Sequence, residues 1–253
     1  SGPGTKPSET GQLVMVKSTD DGVTWSAPQN LTERVAGRDP AWRLFFNGPG
    51  AGIQTAHGDL VFAAQFRDPR GTPHSCLLVS QDHGENWSVT PPAIADKPPT
   101  SEAQVAELSD GTLLLTMRDE SRSGKRAWAK FRADEKRGLA AGQWEPWFQA
   151  LPDPTCMASL LRHPSGLLLF CNPASSKDRV AMTLRYSEDD GKTWSDGRVL
   201  DPRPAAYSCM TVLSDGNVGI LYEAGKSNSA ETLNFAVVSP AWIKGQASKL
   251  PQK

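Results

Sequence analysis

The carboxylates whose spacing first invites a chemical reading are Asp20, Asp82 and Asp189. Each sits third in an octapeptide of the pattern Ser-x-Asp-x-Gly-x-(Thr/Asn)-Trp. The copies are Ser18, Asp20, Gly22, Thr24 and Trp25; Ser80, Asp82, Gly84, Asn86 and Trp87; and Ser187, Asp189, Gly191, Thr193 and Trp194. A recurring acid suggests catalysis, metal ligation or a turn, and its neighbours here favour the turn. Ser and Asp side chains bond to nearby backbone N–H groups at a bend. Gly takes a positive φ without steric cost. The Trp then folds back and buries a large apolar face. A calcium loop would need several more oxygen ligands at set spacing. The three aspartates are therefore assigned to scaffold. Cys76, Cys156, Cys171 and Cys209 contain no Cys-x-x-Cys pair, so no zinc site is expected. Cys76 and Cys171 lie in apolar, strand-like runs and read as buried free thiols.

A second signal interleaves with the octapeptides: a turn followed by an apolar strand. It occurs at Gly58-Asp59-Leu60-Val61-Phe62, Asp110-Gly111-Thr112-Leu113-Leu114, Ser165-Gly166-Leu167-Leu168-Leu169 and Asp215-Gly216-Asn217-Val218-Gly219-Ile220. The four glycines recur at steps of 53, 55 and 50 residues. A period near 50 indicates a propeller or another β array. Each unit reads as a strand, a turn, two strands, an octapeptide turn and a last strand, which makes one four-stranded blade. After Gly111 the octapeptide survives only in broken form, around Asp134 and Trp144; after Gly216, between Phe235 and Trp242, none survives. Leu113 to Leu115 and Leu167 to Phe170 are apolar on both faces and fit strands packed between blades. The first octapeptide has only Leu13 to Lys17 before it. Four full units and a partial one are visible, so the chain is expected to begin inside a blade. Residues 1–253 are read as a single β domain.

Composition sets outer limits. The 22 Gly, 20 Pro and 8 Trp suit many short strands joined by turns. A net charge of −1 gives no support to a nucleic-acid partner. No apolar run approaches the ~20 residues that a transmembrane helix needs. The densest basic run, Arg122 to Arg126, reads as a solvated loop.

Between the repeats, four segments resemble the sialidases (exo-α-neuraminidases), in that family's order. They are Ser101-Glu102-Ala103-Gln104-Val105-Ala106-Glu107-Leu108; Leu115-Thr116-Met117-Arg118-Asp119; Asn172-Pro173-Ala174-Ser175 leading to Arg179; and Ala206-Tyr207-Ser208 with Tyr222-Glu223-Ala224-Gly225. The resemblance covers residues 11 to 242. It implies an all-β, six-bladed propeller whose first blade is incomplete in this chain. It implies a retaining hydrolase that removes terminal sialic acid from glycoconjugates. Arg118 and Arg179 resemble the second and third arginines of the family's carboxylate clamp, a role that bidentate Arg suits. Tyr207 resembles the nucleophile. Sialidases are the known exception to the two-carboxylate rule of glycosidases. A neutral phenol avoids the repulsion that a carboxylate nucleophile would meet from the substrate's own carboxylate. The phenol needs a base, and Glu102 resembles it. Glu223 resembles a supporting carboxylate near the clamp. Tyr186 and Tyr222 read as packing residues. No metal or organic cofactor is implied, and a sialylated glycan is the expected partner.

Two family elements are missing: the clamp arginine of a Phe/Tyr-Arg-Ile-Pro motif and the general-acid aspartate. Residues 1 to 12 hold no Asp, and Glu9 is their only carboxylate. N-terminal truncation by ~40 residues or more is the expected explanation, if a blade matches the repeat length. Met157 stands where relatives often carry Gln, which bears on the pocket wall. The alternatives are a weak or inactive propeller that binds sialosides, a trans-sialidase, and a glycosidase acting on a related nonulosonic acid. Asn30-Leu31-Thr32 and Asn86-Trp87-Ser88 match the N-glycosylation pattern. A secreted or periplasmic location is favoured over a cytoplasmic one. The oligomeric state is not legible in the sequence.

Overall fold

The computed structural model describes residues 1–246. Among them, strands β1 (Val14–Met15) and β2 (Gln29–Asn30) form a short ladder around the first octapeptide. A second sheet holds β3 (Val35–Ala36), β4 (Leu44–Asn47), β5 (Ile53–Gln54), β6 (Leu60–Arg67), β7 (Pro73–Ser80) and β8 (Trp87–Val89). A third runs in sequence order through β9 (Thr100–Glu107), β10 (Leu113–Asp119), β11 (Ala127–Asp134) and β12 (Gly138–Trp147). The fourth holds β13 (Ser159–Arg162), β14 (Leu168–Pro173), β15 (Val180–Ser187), β16 (Arg198–Val212), β17 (Val218–Ala224) and β18 (Thr232–Val238). The long β16 pairs with β15 through its first half and with β17 through its second. One four-residue helix, α1 (Pro240–Ile243), follows, capped by the Ser239 side chain. No helix among the described residues is long and apolar enough to cross a membrane.

Both repeats are built as their chemistry requires. In each octapeptide the Ser Oγ donates to Asp Oδ1 at 2.8–2.9 Å and accepts the Gly N–H at 2.8–2.9 Å. The Asp also accepts the backbone N–H of the Thr or Asn four residues on, at 2.8–2.9 Å, and that residue's side chain. The residues before the glycines, Asp21, His83 and Asp190, take φ of 54–59°, so the turn needs two left-handed residues in succession. The second repeat is as regular. Gly58, Gly111, Gly166 and Gly216 all have positive φ, and each N–H bonds to the carbonyl three residues back. Burial of the octapeptide Trp is not uniform. Trp87 is 6% exposed against Phe62, but Trp25 is 60% exposed. The two-residue strands β1 and β2 give its ring no surface to lie on.

The leucine runs explain the stacking of the sheets. Leu113 and Leu115 face one core with Val61, Leu77 and Val79, whereas Leu114 faces another with Leu160, Leu168 and Phe170. Leu167 and Leu169 turn to a third core with Ile220 and Val238. Alternate residues thus enter cores on opposite faces, so these strands carry no polar face. Cys76, Cys156 and Cys171 are fully buried, and all four cysteines are unpaired. Burial pushes the Cys156 and Cys171 thiols up to about 12, which keeps them inert.

The basic run at Arg122 to Arg126 is not a solvated loop throughout. The Arg126 side chain is wholly buried and faces Asp153, also wholly buried, at 3.4 Å. It also donates to Thr116 Oγ1 at 3.0 Å, to the Glu102 carbonyl at 3.3 Å and to the Cys156 carbonyl. Asp153 accepts the Cys156 N–H at 3.0 Å and Asn172 Nδ2 at 3.3 Å. Burial lowers the Arg126 guanidinium, and the Asp153 charge opposes that shift. The pair therefore ties β9, β10, β14 and the turn at residues 154–156 together.

Two outcomes test these supports. Asp153→Ala strands a buried guanidinium and is expected to cost about 3–5 kcal/mol in denaturant unfolding. Arg126→Met with Asp153→Leu should recover most of that loss, because apolar replacement of both partners removes the unpaired charge. Asp189→Ala removes three accepted hydrogen bonds and should cost about 1–3 kcal/mol at neutral pH. The Asp189 carboxyl is held down at about 2 in the fold, against an ordinary ~3.9. Its stabilisation is present above that ordinary value and is lost as pH falls towards 2. Thermal melts of wild type and variant should therefore converge in acid.

Candidate active site

Two breaks in strand register create the site. On β9, Ser101 and Glu102 together oppose the single residue Arg118 of β10, because Met117 pairs with Ala103 and Asp119 with Thr100. On β16, Ala206 and Tyr207 together oppose Glu223 of β17, because Ala205 pairs with Ala224 and Ser208 with Tyr222. A bulge of two residues against one turns a side chain out of the ladder and leaves backbone groups without a partner. At the second bulge, Glu223 Oε2 accepts the Tyr207 N–H at 3.1 Å. The two bulges bring Glu102 and Tyr207 into contact although they are 105 residues apart.

The Tyr207 phenol donates to Glu102 Oε1 in a short hydrogen bond. Arg118 Nη1 donates to Glu102 Oε2 at 2.9 Å and lies 3.5 Å from the Tyr207 oxygen. Arg118 Nε faces Glu120 at 3.1 Å. Burial first, then the adjacent Glu102 carboxylate, pushes the Tyr207 phenol well above its ordinary value; Arg118 opposes the shift. The phenol is therefore neutral at physiological pH and releases its proton only to a base in contact. The Arg179 guanidinium lies 5.9 Å from the Tyr207 ring centroid and donates to the Thr155 carbonyl at 3.1 Å. Its backbone carbonyl accepts the Ala205 N–H beside the second bulge.

Beside this cluster opens a cleft of about 460 Å³, lined by Arg118, Arg122, Pro154, Thr155, Ser176, Lys177 and Arg179. Its lining contains four cations and no acid, so the potential in the cleft is positive. The structure thus brings together Glu102, Tyr207, Arg118, Arg179 and Glu223. Tyr222 packs in the core and reaches Asp201 through its hydroxyl at 3.5 Å. Met157 is 1% exposed, buried as core. Glu9 is spent locally, accepting the N–H groups of Thr5 and Lys6 at 3.0 Å. The Lys6 backbone bond lowers its carboxyl, which makes it a poor acid. Among the described residues no cluster of His, Cys, Asp and Glu has the form of a metal site. Sequence reasoning missed Arg122, Lys177, Thr155 and the buried Arg126–Asp153 pair. Arg122 and Lys177 lie within five residues of Arg118 and Arg179, and that proximity was the available signal. Nothing in the sequence marks Asp153 or Thr155.

Comparison with known proteins places the chain in a family. A family model described as BNR repeat-like domain matches residues 1–220. The chain is 41% identical over 232 residues to a sialidase of Bacteroides fragilis, covering 88% of this chain and 41% of that protein. It is 35% identical over 258 residues to a sialidase of Micromonospora viridifaciens, covering 96% and 38%. Among solved structures, the Hadza microbial sialidase Hz136 superimposes with a TM-score of 0.82 at 38% identity, covering 96% of this chain and 46% of that one. The leech intramolecular trans-sialidase shares the fold, with a TM-score of 0.73 at 22% identity. The chain spans less than half the length of these relatives. It belongs to the family of BNR repeat-like domains, and over most of its length its relatives are sialidases.

Proposed function

We propose that this chain carries the nucleophile side of an exo-α-sialidase that hydrolyses terminal sialic acid with retention. The observation that carries the proposal is the Tyr207–Glu102 hydrogen bond, with Arg118 touching both groups, at the edge of a cationic cleft. Arg118 and Arg179 would hold the sugar carboxylate through charge-assisted bonds. The Tyr207 oxygen would attack the anomeric carbon while Glu102 takes the phenolic proton. The bond to the departing oxygen breaks as the bond to Tyr207 forms. Water would then attack the anomeric carbon as its bond to Tyr207 breaks; Glu102 returns its proton to the phenolate oxygen, and the proton lost by the water passes to solvent. Glu223 supports the step by holding the Tyr207 backbone at its bulge. The departing oxygen needs a proton unless it is a good leaving group, and this reading assigns no acid to that task. Metal and cofactor have no role in it. We further propose that residues 1–253 form one domain and that its sheets belong to a six-bladed propeller. Its support is the blade pattern of the strands and the likeness to Hz136.

Turnover of an aryl sialoside is expected, with weaker turnover of natural glycans whose leaving groups need protonation. Glu102→Gln should lower aryl-sialoside turnover by about 10²–10⁴-fold. A fluorinated sialosyl reagent should label Tyr207 in the wild type and nothing in Tyr207→Phe, as peptide mass mapping would read. Label on another residue, or undiminished turnover in Tyr207→Phe, overturns the mechanism. Sialoside binding with neither turnover nor label would make the chain a binding module.

A further inference from the structure

The cleft is lined by four cations, whereas one sugar carboxylate carries a single negative charge. Arg118 is already met by Glu102 and Glu120. Among the described residues, Arg122, Lys177 and Arg179 pair with no carboxylate, and the side chains of Arg122 and Lys177 have no hydrogen-bond partner at all. Unpaired surface cations are ordinary when they point to bulk water. Here they line one cleft whose walls carry no acid, where their fields add.

The two loops that present them are built rather than loose. Asp119, 5% exposed, accepts the Ser121 N–H at 2.7 Å, the Ser121 hydroxyl at 2.6 Å and the Ser123 hydroxyl at 2.5 Å. Between those anchors Arg122 is held at φ 58°, a conformation uncommon outside glycine. The Gly124 carbonyl accepts the Asp153 N–H at 3.1 Å, which ties the loop to the buried pair below. Gly124 also presses on the second loop: a Cβ there would sit 2.9 Å from the Ser176 carbonyl oxygen. In that second loop Ser175 Oγ accepts the N–H groups of Lys177 and Asp178 at 3.2 and 3.1 Å. Arg122 and Lys177 are thus placed as a pair, on touching loops, beside Arg118 and Arg179.

We propose that the cleft selects dianionic glycans. Arg118 and Arg179 take the carboxylate of the terminal sialic acid, and Arg122 with Lys177 takes a second carboxylate or sulfate on the adjoining sugar. The assignment rests on the sialoside reading above, and it adds the substrate class.

The test is binding to the chain by titration calorimetry at about 20 mM and about 500 mM salt. The probes are α2,3-sialyllactose as the monoanion, an α2,8-disialyl methyl glycoside, and a sialyllactose sulfated on the sugar next to the sialic acid. At low salt at least one dianion should bind about tenfold tighter than sialyllactose, as two exposed ion pairs allow. High salt should shrink that advantage, since the Debye length falls from near 20 Å to below 5 Å, on the order of what the square-root dependence gives. In Arg122→Ala with Lys177→Ala the advantage should vanish, leaving a ratio near one. Preference for one dianion assigns the second group as carboxylate or sulfate. Equal binding of mono- and dianion, or an advantage that survives in the double variant, overturns the proposal and leaves the sialoside reading standing. If no sialoside binds, both fall.

Discussion

The contact between the Tyr207 phenol and the Glu102 carboxylate is the interaction around which the rest is organised. The two residues belong to different sheets. A regular ladder would leave each within the alternation of its strand. Both β9 and β16 break register by one residue at these positions, and each bulge faces a charged residue, Arg118 or Glu223, on the neighbouring strand. The charged residues complete the breaks in register. Arg118 binds the carboxylate that its bulge turns out, and Glu223 satisfies the N–H that the other bulge frees. Removing either residue would alter the local backbone as well as the charge.

Beneath that contact lies a second, drier layer. The Arg126 guanidinium spans the Glu102 carbonyl, Thr116 and the Cys156 carbonyl, with Asp153 as its counter-charge. Buried ion pairs add little net stability compared with apolar packing, but losing one partner is costly. Such a pair therefore acts as a constraint on geometry. Here it holds the turn at residues 154–156, where Thr155 sits at φ 56° with its carbonyl turned to Arg179. A β-branched residue at positive φ is strained. The surrounding bonds hold that strain in place at the wall of the cleft, which is where strained residues tend to collect.

The electrostatic layout follows from these two layers. Glu102, Glu120, Tyr207 and Arg118 interact directly and sit together, with Arg118 facing both carboxylates. The uncompensated cations lie to one side, on loops fixed by Asp119 and Gly124. Neutral phenol and cationic cleft are complementary features. An anion drawn in by the cations meets an uncharged phenol rather than a phenolate.

The sequence by itself was enough to determine the repeating frame. Each octapeptide needs Ser, Asp and Gly for hydrogen bonds and backbone angles that are complete within eight residues, so the turn is written locally. The same holds for the glycine turns and for the doubly apolar runs, whose burial follows from having no polar face. The resemblance also picked out Glu102, Arg118, Arg179, Tyr207 and Glu223 from the segments around them. What the sequence left open was anything that depends on a partner distant in the chain. Trp25 carries the same pattern as Trp87, yet only Trp87 has an apolar wall beside it. Arg126 stands in a run with Arg122, yet one is buried on Asp153 and the other faces the cleft. The bulges leave no compositional trace, because they depend on the register between two strands. Tertiary structure alone decided these features, since burial, register and counter-charge are properties of what another segment brings.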